Sequence, residues 1–189
     1  MYLVRLTFPR FHWLHNLYRG ISDLAIRIDR PLLLFLALIG KRHPRVWMVD
    51  DDADDRELFI AAVRDIAPNV EVSTCRNGLE LMRALHDQSI LLPDVIFLDL
   101  NMPFKSGQEC LEEIRGTARL KSLPVVIYST STNMDHVNQT YAQGADYYLA
   151  KPDSFGDLKL ITSKLFEMDW DTHRQPQKDK FFLSARLFK

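Results

Sequence analysis

The chain has 189 residues, 47% of them hydrophobic and 26% charged, with a formal net charge of −1. That is enough apolar material for a proper core, and it excludes a disordered chain. The near-neutral balance hides an asymmetry: residues 1–45 carry eight Lys/Arg against two Asp/Glu, and residues 46–189 carry sixteen against twenty-three.

Residues 1–43 stand apart as a basic extension. Leu14, Tyr18, Ile21, Ala25, Ile28 and Leu32 recur at spacings of four and three, with Arg19, Asp23 and Arg27 between them, which predicts an amphipathic helix. Gly20 weakens it by roughly 1 kcal/mol relative to alanine, and Pro31 ends it. The apolar run Leu32–Ile39 is eight residues long. A membrane span needs about 20, so none is predicted. The run also begins too deep, and lacks a small-residue cleavage site, for a secretory signal. Three readings stay open: a helical appendage or dimerisation element, a stretch with little structure of its own, and, least favoured, a basic membrane-surface anchor.

From Val46 onward, apolar runs alternate with helical periodicity. Strands are expected at Val46–Asp50, Val70–Cys75, Val95–Asp99, Val125–Ser129 and Asp146–Ala150, and helices at about 54–66, 78–88, 107–117, 133–143 and 155–168. Pro68, Pro93, Pro124 and Pro152 punctuate the gaps, because proline neither continues a helix nor donates to a ladder. Five βα units in series imply a parallel sheet covered by helices on both faces. This unit spans residues 44–168. In the tail, residues 169–189, a turn over Pro176–Lys180 precedes Phe181-Phe182-Leu183, which is expected to fold back on the domain. Cys75 and Cys110 lie in apolar stretches without CxxC spacing and read as reduced core residues, which favours a cytoplasmic location.

The chemistry is concentrated at strand ends. Val46–Val49 runs straight into Asp50-Asp51-Asp52. Crowded carboxylates repel, so such a cluster is tolerable if a cation neutralises it; the alternative is an acidic helix start capped by Asp54 or Asp55. The third strand ends at Asp99, followed by Leu100-Asn101-Met102-Pro103; the fourth ends at Ser129, followed by Thr130; the fifth leads into Lys151-Pro152. Ends of parallel strands converge on one edge, so Asp50, Asp51, Asp99, Ser129 and Lys151 are expected in one pocket. Acids, a hydroxyl and a lysine together point to phosphoryl chemistry.

Over residues 44–168 these four motifs, in this order and spacing, resemble the receiver domain of two-component response regulators of the single-domain, CheY-like type. The resemblance implies a flavodoxin-like, five-stranded parallel sheet of order 2-1-3-4-5 with five helices. It implies that Asp99 is the phosphoacceptor, that Asp51 and Asp99 bind Mg²⁺ directly with the Asn101 backbone carbonyl, and that Asp50 does so through water. Lys151 would pair with Asp99 and then with the phosphoryl group, and Ser129 would donate to the same oxygens. Tyr148 occupies the aromatic switch position, which moves inward when the hydroxyl is drawn to the phosphate. Gly107 matches a loop-to-helix glycine. Thr130 departs from the family, being bulkier than its usual small residue, which would narrow access to Asp99. Asp52 keeps the plain role of capping the next helix.

The partners implied are a histidine kinase or a histidine phosphotransfer protein upstream and a protein target downstream, reached through the helix 4–strand 5–helix 5 face. No DNA-binding domain follows the receiver, so direct DNA binding is not expected. The chain reads as a phosphoacceptor that supports its own phosphorylation and dephosphorylation, and not as a conventional enzyme. A phosphorelay intermediate and a receiver-like scaffold without phosphorylation are the alternatives. A haloacid-dehalogenase-like phosphatase needs a second aspartate two residues after the nucleophile as general acid, and that residue is Asn101. A flavodoxin-like binding module needs a phosphate loop after the first strand, where this chain has carboxylates.

Overall fold

The computed structural model describes residues 44–168, 170 and 175–187. The expected amphipathic helix and the apolar run before residue 43 lie outside the described residues. Strands β1 (Arg45–Val49), β2 (Glu71–Cys75), β3 (Val95–Leu98), β4 (Val125–Ser129) and β5 (Tyr147–Ala150) alternate with helices α1 (Ala53–Ile66), α2 (Gly78–His86), α3 (Gly107–Gly116), α4 (Met134–Ala142) and α5 (Phe155–Phe166). All strand pairings among the described residues are parallel, in the order β2-β1-β3-β4-β5, with a short strand β6 (Phe182–Leu183) beyond β5.

The strands are nearly continuous apolar runs because both faces of the sheet are covered. Successive side chains alternate between two cores. Val46, Met48, Phe97, Val126, Tyr128 and Leu149 pack with Phe59, Ala62 and Val63 of α1 and Leu158, Ile161 and Leu165 of α5. Trp47, Val49, Ile96, Leu98, Ile127 and Tyr148 point the other way, onto Leu81 and Leu85 of α2, Leu111 and Ile114 of α3 and Val137 of α4. Each helix starts where a side chain meets its orphan amides: Asp52, Asn77, Ser106, Asn133 and Ser154 all accept from the first turn. Ser106 and Glu109 form a reciprocal capping box. Asp52, and neither Asp54 nor Asp55, is the cap of α1.

Asp50 and Asp99 lie just past their strands, but the ladders still hold their backbones. The Asp50 amide donates to the Cys75 carbonyl at 3.1 Å and the Asp99 amide to that of Val49 at 2.9 Å. Cys75 and Cys110 are buried and free, and burial pushes both thiols up, to about 11 and about 12.

The five-stranded expectation needs one correction. A sixth strand, β6 (Phe182–Leu183), pairs parallel with β5, matching Tyr148 to Phe182 and Leu149 to Leu183. It was invisible to periodicity because two residues carry no repeat. Short 3₁₀ turns at Lys178–Lys180 and Ala185–Leu187 flank it. Phe181, fully buried, meets the ring of Tyr141 at 5.0 Å and that of Tyr148 at 6.5 Å. The Gln175 amide nitrogen donates to the carbonyls of Tyr141, at 2.8 Å, and Ala145, at 2.7 Å. Removing a buried phenylalanine ring costs about 3–5 kcal/mol. Phe181→Ala is therefore expected to lower unfolding stability by that amount in denaturant titration, whereas exposed Leu187→Ala changes little; equal small effects would show that the tail does not belong to the core.

Candidate functional site

Three carboxylates meet at the C-terminal edge of the sheet. One oxygen from each of Asp50, Asp51 and Asp99 falls within 4.8 Å of the others, with Asp50 and Asp99 buried and Asp51 exposed. Asp50 Oδ1 accepts from its neighbour's amide, Asp52 N–H, at 3.0 Å, and Arg56 Nη1 donates to the Asp50 carbonyl at 2.7 Å. Asp99 Oδ2 accepts from Asn101 N–H at 2.7 Å, which leaves Oδ1 facing Lys151. The start of α3 lies hard against this turn. A Cβ on Gly107 would stand 2.1 Å from the Asp99 carbonyl oxygen, so only glycine fits there without displacing the carboxylate's backbone.

Lys151 reaches the cluster from the end of β5, where its amide donates to the Ser129 carbonyl at 2.8 Å. Its Nζ lies 2.7 Å from Asp50 Oδ2, 2.6 Å from Asp55 Oδ2 and 3.5 Å from Asp99 Oδ1. It also sits 5.4 Å from the centroid of the Tyr128 ring. The expected Lys151–Asp99 pair is thus present only as a longer contact, and the two short ones go to Asp50 and Asp55.

Burial is the largest influence on the two inner acids, and it raises both carboxyls from their ordinary values; Lys151 pulls in the opposite direction without cancelling it. On Lys151 itself burial acts downward, and the hydrogen bonds to Asp50 and Asp55 with the charge of Asp99 outweigh it, so the ammonium is held well above its usual value. One cation among these acids leaves surplus negative charge in a pocket that resists it. The donor set, three hard carboxylate oxygens close together, fits a divalent cation of the oxygen-preferring class.

Ser129 is fully buried at the end of β4, and its Oγ accepts from Ser131 N–H at 3.3 Å. Thr130 is exposed beside it. Tyr148 is fully buried, and its hydroxyl donates to the Ser131 carbonyl at 2.7 Å. Its ring lies 5.8 Å from that of Phe182. Sequence reasoning brought Asp50, Asp51, Asp99, Ser129 and Lys151 to the right edge but missed Asp55 and Tyr128. Asp55 was legible in one respect: a residue in the first turn after β1 sits over the same edge as the strand's end.

The comparisons with known proteins agree with this geometry. The family model of the response regulator receiver domain matches residues 46–162. This chain belongs to that family. It is 34% identical over 117 residues to response regulator Rcp1 of Synechocystis, covering 60% of this chain and 80% of Rcp1. It is 30% identical over 134 residues to the probable methanogenesis regulatory protein FilR2 of Methanothrix harundinacea, covering 69% of this chain and 86% of FilR2. Among solved structures, the phosphorylated cyanobacterial phytochrome response regulator RcpA superposes with a TM-score of 0.64 at 33% identity, covering 72% of this chain and all (100%) of RcpA. The Mn²⁺-bound form of Rcp1 gives 0.62 at 31% identity, covering 70% and 99%. The protein is a two-component response regulator receiver. No helix among the described residues is long and apolar enough to cross a membrane.

Because burial raises the Asp99 carboxyl, its ionised form costs stability at pH values above that raised value, and the cost disappears as pH falls through it. Asp99→Asn removes the charge and keeps the shape. In chelator at neutral pH it is expected to raise the thermal midpoint by about 2–4 °C, the equivalent of roughly 1 kcal/mol for a domain of this size. The difference from wild type should shrink toward acid; a variant less stable than wild type at neutral pH would contradict it.

Proposed function

We propose that Asp99 accepts a phosphoryl group from a phosphohistidine of a histidine kinase or phosphotransfer protein in a Mg²⁺-dependent reaction, and that the protein signals through contacts with a downstream protein. The observation that carries this reading is the meeting of the buried Asp99 with Asp50, Asp51 and the Lys151 ammonium at one strand edge.

In the transfer, an Asp99 carboxylate oxygen attacks phosphorus, an O–P bond forms and the P–N bond to the donor imidazole breaks. The electron pair of that bond returns to the imidazole ring, which regains a proton from solvent. The Asn101 N–H holds Oδ2, leaving Oδ1 as the free nucleophile on the Lys151 side. A carboxylate needs no general base to attack. Mg²⁺, when bound, spreads the charge that builds on the transferring phosphoryl oxygens. Asp51 and Asp99 would hold it directly, with the Asn101 carbonyl; Asp50, whose oxygens already accept from Asp52 N–H and Lys151, would do so through water. Lys151 then meets the new phosphoryl charge as a point cation, and the Ser129 hydroxyl donates to it. Hydrolysis of the same acyl phosphate by an in-line water resets the protein.

Ser129 and Lys151 sit at the ends of β4 and β5, and Tyr148 lies within β5, so a change at the phosphoryl group is felt first on the α4–β5–α5 face. That is the surface through which output is read.

Acetyl phosphate offers a direct test. With Mg²⁺ the wild type is expected to gain one phosphoryl group by mass spectrometry, and chelator is expected to abolish it. Asp99→Asn should lose labelling altogether, while Lys151→Met still folds and labels weakly. Equal labelling of wild type and Asp99→Asn would sink the assignment.

A further inference from the structure

Lys151 makes both of its short contacts away from the phosphoacceptor. At 2.6 Å from Asp55 and 2.7 Å from Asp50 its ammonium makes short hydrogen bonds, whereas the 3.5 Å to Asp99 is the longest and weakest of its three carboxylate contacts. Asp50 has a fixed place of its own, tied by Asp52 N–H and Arg56. Asp55 is different. It lies in the first turn of α1, and its own amide is anchored at 3.4 Å to the cap Asp52, so the helix start aims its carboxylate across the sheet edge at Lys151. It is also not one of the three acids whose oxygens cluster for a cation. Its side chain is 32% exposed, so its charge is carried partly by solvent and exerts its main effect through the lysine.

We propose that Asp55 is a positioning residue that holds the Lys151 ammonium back from Asp99, and that it competes with the phosphoryl group for that cation once Asp99 is modified; the inference rests on Asp99 being the phosphoacceptor. A phosphoryl group brings a charge of about −1.5 to −2 to the pocket. Lysine is a point charge on a flexible stem, able to close the 3.5 Å that separates its ammonium from Asp99. An equilibrium between two states moves only by what differs between them. The Asp55–Lys151 bond is strongest in the unmodified state, and so it opposes the modified one. The contact belongs to a partly exposed pair, for which such bonds are worth at most about 1 kcal/mol, a factor of about five in an equilibrium constant.

The full chain, saturated with Mg²⁺, is titrated with beryllofluoride as the phosphoryl mimic and followed by fluorine NMR. Asp55→Asn is expected to tighten binding about threefold to fivefold. Asp55→Glu, which keeps the carboxylate within reach of Lys151, should stay near wild type. Asp54→Asn controls for charge alone: Asp54 is the exposed neighbour on the same turn, and its loss should leave affinity unchanged. Unchanged or weaker binding by Asp55→Asn overturns the inference, and so does an equal gain from Asp54→Asn. Should wild type itself fail to bind beryllofluoride, the reading of Asp99 falls and this one with it; binding by wild type with no response to Asp55→Asn removes this inference alone.

Discussion

Lys151 is one cation set among Asp50, Asp55 and Asp99, and two of those acids are buried where water cannot solvate them. An ionised carboxylate in such a place is tolerated only when paired, because desolvation costs more than a distant charge can return. The single ammonium therefore decides how much negative charge the pocket holds at rest. It is also too little for the acids it serves, which is why burial still raises Asp50 and Asp99. A site left short of positive charge is disposed to take up a divalent cation. Stability is sacrificed there for reactivity, a pattern seen wherever strained or charged groups are held for chemistry.

The scaffold makes that arrangement reproducible. Parallel pairing puts the ends of β1, β3, β4 and β5 at one edge, and the ladder bonds to Asp50 and Asp99 carry the strand geometry one residue into the site. Gly107 lets α3 begin in contact with the Asp99 backbone, so the helix braces that residue directly. Away from the site, Arg115 ties α3 to the turn before β5 through the Gly144 carbonyl at 2.7 Å and Asp146 at 2.9 Å. The Asp146 carboxylate also accepts the first amide of β4 at 2.7 Å, which fastens β4 and β5 together at the opposite edge. The movable groups are thus confined to one end of a sheet whose other end is pinned.

Most of the architecture was legible because its signals are long-range and repeated: apolar strands, helical periods and prolines between them. The inner carboxylates were legible for a different reason, since a strand that ends in charge has few uses for it. What escaped was short or directional. β6 has two residues and pairs by backbone, so nothing in its composition distinguished a strand from a packed turn. Asp55 looked like a helix-capping residue, because sequence spacing locates a side chain on a turn but does not say which way a lysine 96 positions later points. The resemblance supplied Lys151 with Asp99 as its partner; the geometry gives the closer bonds to two other acids.

Tyr148 shows what the tail contributes to the core beside the site. The family pattern has this ring follow the strand-four hydroxyl inward, a movement driven by one hydrogen bond. Here the ring is fully buried, bonded to the Ser131 carbonyl and packed beside Phe181 and Phe182. Moving a buried aromatic ring out of a core leaves a cavity that costs roughly 3–5 kcal/mol. A hydrogen bond to a charged group returns about 1.5–3 kcal/mol. The larger quantity belongs to the packing, so the ring, already inward, is held by the tail in the position to which the family pattern moves it. β5 and β6 are joined by parallel backbone pairing at Tyr148–Phe182 and Leu149–Leu183, so the strand that carries the ring and the tail that packs on it form one piece of the sheet.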